Sequence, residues 1–201
     1  MDFKTLLFAL LMPFDTFRHI TKDASLQGSI KLILIGGTLA GILDGLRTIL
    51  QPDSFSFVNF LHLSDTVTSS GNAALFLGEF ILAFLFVLLG SVIFSGLCHI
   101  FAKILSGKGC FTTQLYLVAL YTVPIVIVTN LISFISSINI YGIPLIYLFE
   151  AYYFYPLTAA IHEAHRFSIL KAILSWALPA AILLIIAAIF LIKITIHIGA
   201  L

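Results

Sequence analysis

Five long apolar stretches constrain the fold of this chain more than any other feature. They lie at approximately residues 30–50, 73–105, 113–137, 142–161 and 170–196, with short polar connections between them. A helix needs about 20 apolar residues to cross about 30 Å of hydrocarbon. Only 9% of the residues are charged, far below the roughly 25% of a soluble globular domain. We therefore predict an all-α polytopic transmembrane bundle of five spans.

The segment before the first span, residues 1–29, has a mixed character. Its apolar run at 6–14 is too short to span a bilayer, and Asp15 and Arg18 follow it. This mixture is typical of a helix in the headgroup region, and a re-entrant piece is the alternative. No small-residue cleavage site follows the run, so a removed signal peptide is not indicated. We predict a short N-terminal interfacial helix before a membrane domain at 30–201.

Lysine and arginine are distributed unevenly between the connections. If the N-terminus is cytoplasmic, eight of these residues lie inside and only two lie outside. The inside residues are Lys4, Arg18, Lys22, Lys31, Lys103, Lys108, Arg166 and Lys171, and the outside residues are Arg47 and Lys193. Short cytoplasmic loops carry an excess of basic residues. The pattern predicts a multi-pass protein of the cell membrane with its N-terminus in the cytoplasm and its C-terminus outside.

The first span carries Gly37, Gly41 and Gly45 at intervals of four residues. Glycines at this spacing share one helix face and allow two backbones to approach closely. We predict a packing face, used either within the chain or for self-association or contact with other membrane proteins. The net charge of +1 does not favour nucleic acid as a partner, because such binders need a basic face. The bilayer is the expected surrounding.

Polar residues of four spans fall at one predicted depth. Counted from the outer ends of the spans, they lie roughly 9 to 12 Å inside, with Arg47 shallower, and are Asp44, Glu79, Asn130 and Glu150. Ionisable side chains in a bilayer usually face the bundle interior. The layer is interpreted as interhelical hydrogen bonds with an Asp44–Arg47 pair. A site for a cation, a proton or a small polar ligand is the alternative.

Near the predicted cytoplasmic ends of spans two and four lie His99, His162, Glu163 and His165. Three histidines are able to bind zinc or to form a proton-sensitive contact. Histidines at a headgroup boundary are more often simply solvated. Zinc binding by His99, His162 and His165 therefore stays an open alternative. The preferred interpretation is that these side chains are solvated.

A series of spaced features resembles the Yip-domain family, membrane proteins named for their interaction with Ypt/Rab GTPases. The residues that carry it are Gly96, His99, the turn 106–111, Gln114, Tyr121, Pro124, His162 and Lys171. The turn has Ser106-Gly107 where the family typically has a glycine pair. The resemblance implies five spans and a cytoplasmic N-terminus. The long N-terminal region of eukaryotic relatives is absent, which indicates a prokaryotic member, so a Rab-related role is not carried over.

No complete catalytic motif is present in the sequence. A nucleophile elbow, a phosphate loop, an HExxH helix and paired catalytic cysteines are all missing, and Cys98 and Cys110 are interpreted as free thiols. We predict a non-enzymatic protein without a cofactor, of Yip-domain type, that acts in membrane organisation, in trafficking-like processes or as an intramembrane interaction partner. The alternative is a small transporter or channel for a cation, a proton or a small polar solute through the polar layer.

Overall fold

A computed structural model of the chain describes residues 3–50, 71–136 and 142–199. All regular structure in these ranges is helical. Two short helices and a 3₁₀ turn precede five long helices. In chain order they are α1 (Phe3–Leu11), α2 (Pro13–Ile20), the turn Thr21–Asp23, α3 (Leu26–Leu50), α4 (Asn72–Ile104), α5 (Phe111–Ser136), α6 (Gly142–His165) and α7 (Ile169–Gly199).

The long helices have the length and composition of membrane spans. Four of them, α3, α4, α5 and α7, are long and apolar enough to cross a bilayer over their described residues. The fifth, α6, has 24 residues, and most side chains of its first third lie outside the described part. The chain is therefore a multi-pass helical membrane protein. That α6 forms a fifth span stays a prediction.

The helices pack as a bundle around α3 and α5. Helix α3 contacts α4 and α5, α6 packs against α5, and α7 packs against α4 and α6. The turn from α4 to α5 and the turn from α6 to α7 lie at the same end, because the main-chain N–H of Lys108 bonds the carbonyl oxygen of His165 (3.2 Å). We call this the basic end, after Lys22, Lys103, Lys108, Arg166 and Lys171 in these connections and helix ends.

The glycine stripe of α3 faces α4, which runs antiparallel to it. Three phenylalanine rings stack on one another along α4, with centroids 6.2 and 6.3 Å apart. In order from the basic end, Gly37, Gly41 and Gly45 face Phe84, Phe80 and Phe76. A Cβ on Gly41 would lie 2.7 Å from the main-chain oxygen of Phe80. The stripe thus serves close helix packing within the chain.

Helices α1 and α2 pack along the bundle and are joined by a bend at Met12, before Pro13. Phe17 of α2 is fully buried and its ring lies 6.4 Å from that of Tyr121. The hydroxyl of Tyr152 donates a hydrogen bond to the carbonyl of Leu10. Tyr152 is about 20 Å along α6 from the basic end. Whether this segment lies at the interface, as predicted, or re-enters the bilayer stays a prediction.

Two helices end at the basic end with a residue in the left-handed conformation. These are Ser106 after α4 (φ 69°) and Arg166 after α6 (φ 53°). Glycine is the usual residue at such helix ends. A residue with a Cβ costs roughly 1–2 kcal/mol of stability in this conformation. Between them, a Cβ on Gly109 would overlap the carbonyl oxygen of Ala164. The turn 106–111 therefore fits against the end of α6 only with glycine at 109.

Candidate functional sites

The polar layer begins with an ion pair on α3. Arg47 Nη2 lies 3.0 Å from Asp44 Oδ1, one helical turn away, and both side chains are mostly buried. On the neighbouring helix, Glu79 is completely buried. The contact of Gly41 with Phe80 places Glu79 at the level of the Asp44 turn.

Asn130 of α5 lies at the same level, because Gly36 of α3 contacts Val123 and the two helices run in parallel from there. Its side-chain amide donates to the carbonyl of Val126 in its own helix (3.0 Å). For Glu150, only the backbone is described. The ring contact of Tyr121 with Tyr153 (5.4 Å) places position 150 beside Pro124, about 9 Å along α5 from Asn130.

The second candidate site divides into two parts in the structure. The ring centroids of His99 and His165 lie 5.0 Å apart. Both rings reach Gln114 Oε1, from His165 Nε2 at 2.8 Å and from His99 Nδ1 at 3.3 Å. Gln114 and His165 are completely buried. A single amide oxygen thus joins the ends of α4 and α6 to the first turn of α5.

The partners of Gln114 determine which nitrogen of each histidine ring carries the hydrogen that faces it. Its amide nitrogen donates to the carbonyl oxygen of Ser95 (2.8 Å) and to the Ser95 hydroxyl (3.2 Å), so its oxygen is left to accept. His165 Nε2 and His99 Nδ1 must therefore carry the protons that are donated to it. The other nitrogen of His165, Nδ1, faces Gly107, where a Cβ would lie 2.5 Å away.

His162 and Glu163 lie outside this cluster. The ring of His162 packs edge-on against Phe14 (5.6 Å), and His162 Nε2 lies 3.8 Å from Glu163 Oε1. The same carboxylate oxygen is 3.5 Å from Arg18 Nη2, which ties α2 to α6. Within the residues that the structure describes, no three His, Cys, Asp or Glu side chains are placed to hold a metal ion.

Gln114 was not among the predicted site residues, although it belongs to the pattern that resembles the Yip-domain family. The available signal was an amide side chain in the first turn of an otherwise apolar helix. Such a residue requires a buried partner. Its partners lie 19 residues before it and 51 residues after it, and their identity depends on how the helices align across two turns.

One known protein family matches most of the chain. The profile of the Yip1 domain matches residues 8–191. The chain belongs to the Yip1 domain family. No curated protein and no solved structure matches it. Several features that carried the resemblance meet at the basic end of this Yip1 domain, where Gln114 binds His99 and Lys171 Nζ donates to the carbonyl of Leu105 (3.1 Å).

Proposed function

We propose that this Yip1 domain protein is non-enzymatic and acts in membrane organisation or trafficking-like processes as an interaction partner within the bilayer. The observation that carries the proposal is the apolar surface of α7 at residues 181–189. Every residue at 181–189 is exposed, whereas Ala172 and Ser175, nearer the start of the helix, are completely buried. An apolar helix surface of this kind is available to lipid or to another membrane helix.

A comparison between helices supports this proposal. In the apolar stretch of 18 residues within α5, 50% of the residues are buried. The corresponding stretches of α7 and α4 have 17% and 11% of their residues buried. Helix α5 therefore belongs to the interior of the bundle, while α4 and α7 present most of their surface outward. We further propose that the basic end is cytoplasmic, in the cell membrane, since basic residues collect in short cytoplasmic loops.

The proposal is tested by photo-crosslinking in the native membrane. A photoreactive residue is placed singly at Leu183, Leu184 and Ile185, which point about 100° apart around α7. Ala172, completely buried in the same helix, is the matched control. A partner on one face gives protein adducts of discrete mass at one or two of the three positions. Lipid adducts alone at all three would contradict the proposal.

A second candidate function is supported by the polar layer. Glu79 is completely buried at the level of the Asp44–Arg47 pair and of Asn130. Ionisable groups inside a bilayer cost about 2.5–3.5 kcal/mol on insertion scales and often mark ion or proton pathways. This arrangement favours a small transporter or channel for a cation, a proton or a small polar solute as the alternative.

A further inference from the structure

A polar cavity of about 330 Å³ opens at the basic end. Three separate parts of the chain form it: the 3₁₀ turn after α2, the turn before α5, and the end of α6. Each part contributes one basic residue to the wall, namely Lys22, Lys108 and Arg166. All three are exposed. The tertiary fold, and not a run of basic sequence, brings these charges together.

The cavity carries an excess of positive charge. Its one acidic residue, Glu163, already lies 3.5 Å from Arg18 and 3.8 Å from the His162 ring. Within the described part of the chain, no carboxylate pairs with Lys22, Lys108 or Arg166. Three cations around one opening favour an anion with more than one charge, since each charge-assisted hydrogen bond adds to the others.

The start of α5 adds donors to the same wall. Cys110 and Thr113 line the cavity, and the first main-chain bond of the helix runs from the Gln114 N–H to the Cys110 carbonyl. The N–H groups at 111–113 precede that bond and have no carbonyl acceptor within the helix. Those of Thr112 and Thr113 face the Cys110 sulfur, on the wall of the same cavity. Together with the positive end of the helix dipole, such groups suit a phosphate oxygen.

The backbone conformation of Arg166 is a further feature of the cavity wall. This residue ends α6 in the left-handed conformation, at φ 53°, where glycine would fit without strain. An arginine is less favourable than glycine at this helix end, and Arg166 is one of the residues that line the cavity. Residues held in such conformations tend to occur at functional sites.

We propose that this cavity, lined by Lys22, Lys108 and Arg166, binds a phosphate monoester. The dianionic group would lie among the three cations at the mouth of the cavity, with the first turn of α5 below it. Two sources supply this chemistry, an anionic lipid headgroup such as that of phosphatidic acid and a phosphate compound in solution. The position of the cavity at the end of a membrane bundle makes both accessible.

The exposed thiol of Cys110 reports on the cavity directly. It lines the wall, whereas the second cysteine of the chain, Cys98, is buried. The full-length protein is reconstituted in phosphatidylcholine nanodiscs, and the rate of maleimide alkylation at Cys110 is measured. One arm adds phosphatidic acid to the disc, and a second adds inorganic phosphate to the buffer. Phosphatidylglycerol, which carries a singly charged diester, controls for the surface charge of the membrane.

A bound phosphate group covers Cys110, and an occupancy of two-thirds slows alkylation about threefold. Slowing by phosphatidic acid alone identifies a lipid headgroup, and slowing by inorganic phosphate identifies a site open to soluble phosphate; both support the proposal. Lys108→Gln and Arg166→Gly should abolish the effect. Lys103→Gln, which removes a charge from the same end outside the cavity, should retain it.

Two results would overturn the proposal. One is an unchanged rate in both arms. The other is equal slowing by phosphatidic acid in the wild type and in both cavity variants, which would indicate surface charge alone. Arg166→Gly also separates binding from folding, because glycine suits the left-handed helix end and the variant should melt no lower than the wild type.

Discussion

The amide oxygen of Gln114 lies 2.8 Å from Nε2 of His165, so a buried hydrogen bond joins the first turn of α5 to the last residue of α6. The same oxygen reaches His99 (3.3 Å), and the amide nitrogen reaches Ser95. All four groups lie in the apolar interior or at its edge. Three helices are thus held in register by one side chain at the basic end.

Gln114→Leu should destabilise the protein by about 2 kcal/mol or more, because His165 and Ser95 lose their partner while they stay buried. Thr122→Val is the control in the same helix. The Thr122 hydroxyl donates only to the carbonyl of Val118 one turn before it, a bond that adds little to stability. The measurement is the melting temperature in detergent. Equal melting of both variants would refute the role of Gln114.

Ser106→Gly should raise the melting temperature. Ser106 is in the left-handed conformation (φ 69°), which costs a residue with a Cβ roughly 1 kcal/mol of stability, and glycine removes this cost. The change also restores the glycine pair typical of Yip-domain turns. Ser91→Gly, in the middle of α4, should instead lower the melting temperature, with a loss of about 0.5 kcal/mol in stability. Thermal melting of the two variants gives opposite signs if the turn is strained as described. A loss at both positions would contradict this.

Gly41→Ala should destabilise α3 against α4 by about 1–3 kcal/mol. Its Cβ would lie 2.7 Å from the main-chain oxygen of Phe80, which has no freedom to rotate away. Gly90→Ala is the matched control on α4, since nothing lies within 4 Å of a Cβ there. Melting in detergent and size-exclusion chromatography measure the effect. If Gly41→Ala melts like Gly90→Ala, the stripe does not determine the packing.

The alkylation rate of Cys110 should depend on Thr113. The Thr113 hydroxyl lies 3.1 Å from the Cys110 sulfur, and this hydrogen bond lowers the pKa of the thiol. Thr113→Val should therefore raise the pKa, reduce the thiolate fraction at neutral pH and shift the rate profile to higher pH. Above both pKa values the rates should converge. Thr112→Val should leave the profile unchanged, and a Thr113→Val profile identical to wild type would exclude this hydrogen bond.

Much of the helical architecture follows from the sequence, because hydrophobic length is a strong constraint in a bilayer. Each predicted apolar stretch lies within one of α3 to α7 to within a residue or two, although α6 continues past 161 to His165. The partner of Gly41 was left open between another helix of this chain and a different chain, since a glycine stripe specifies close approach and not its partner. The grouping of His99 with His165, without His162, depends on helix rotation and on the turn at Gly107. Local sequence does not determine either.

The polar layer is the point at which the two candidate functions differ most. In a layer that serves only to join helices, Glu79→Gln should be tolerated or stabilising, because the amide retains hydrogen bonds and removes a buried charge. In a transport site, the same change should remove proton or cation movement while the fold persists. Thermal melting of the variant establishes that the fold is retained and is the control for the measurement that follows.

The most direct test of a non-enzymatic interaction protein over a transporter is ion flux in proteoliposomes. Purified wild type and Glu79→Gln are reconstituted at equal density, and proton, sodium and potassium fluxes are recorded under an imposed gradient. We expect both proteins to give the flux of protein-free vesicles. A flux that wild type supports and Glu79→Gln abolishes would contradict the account and identify the polar layer as a pathway.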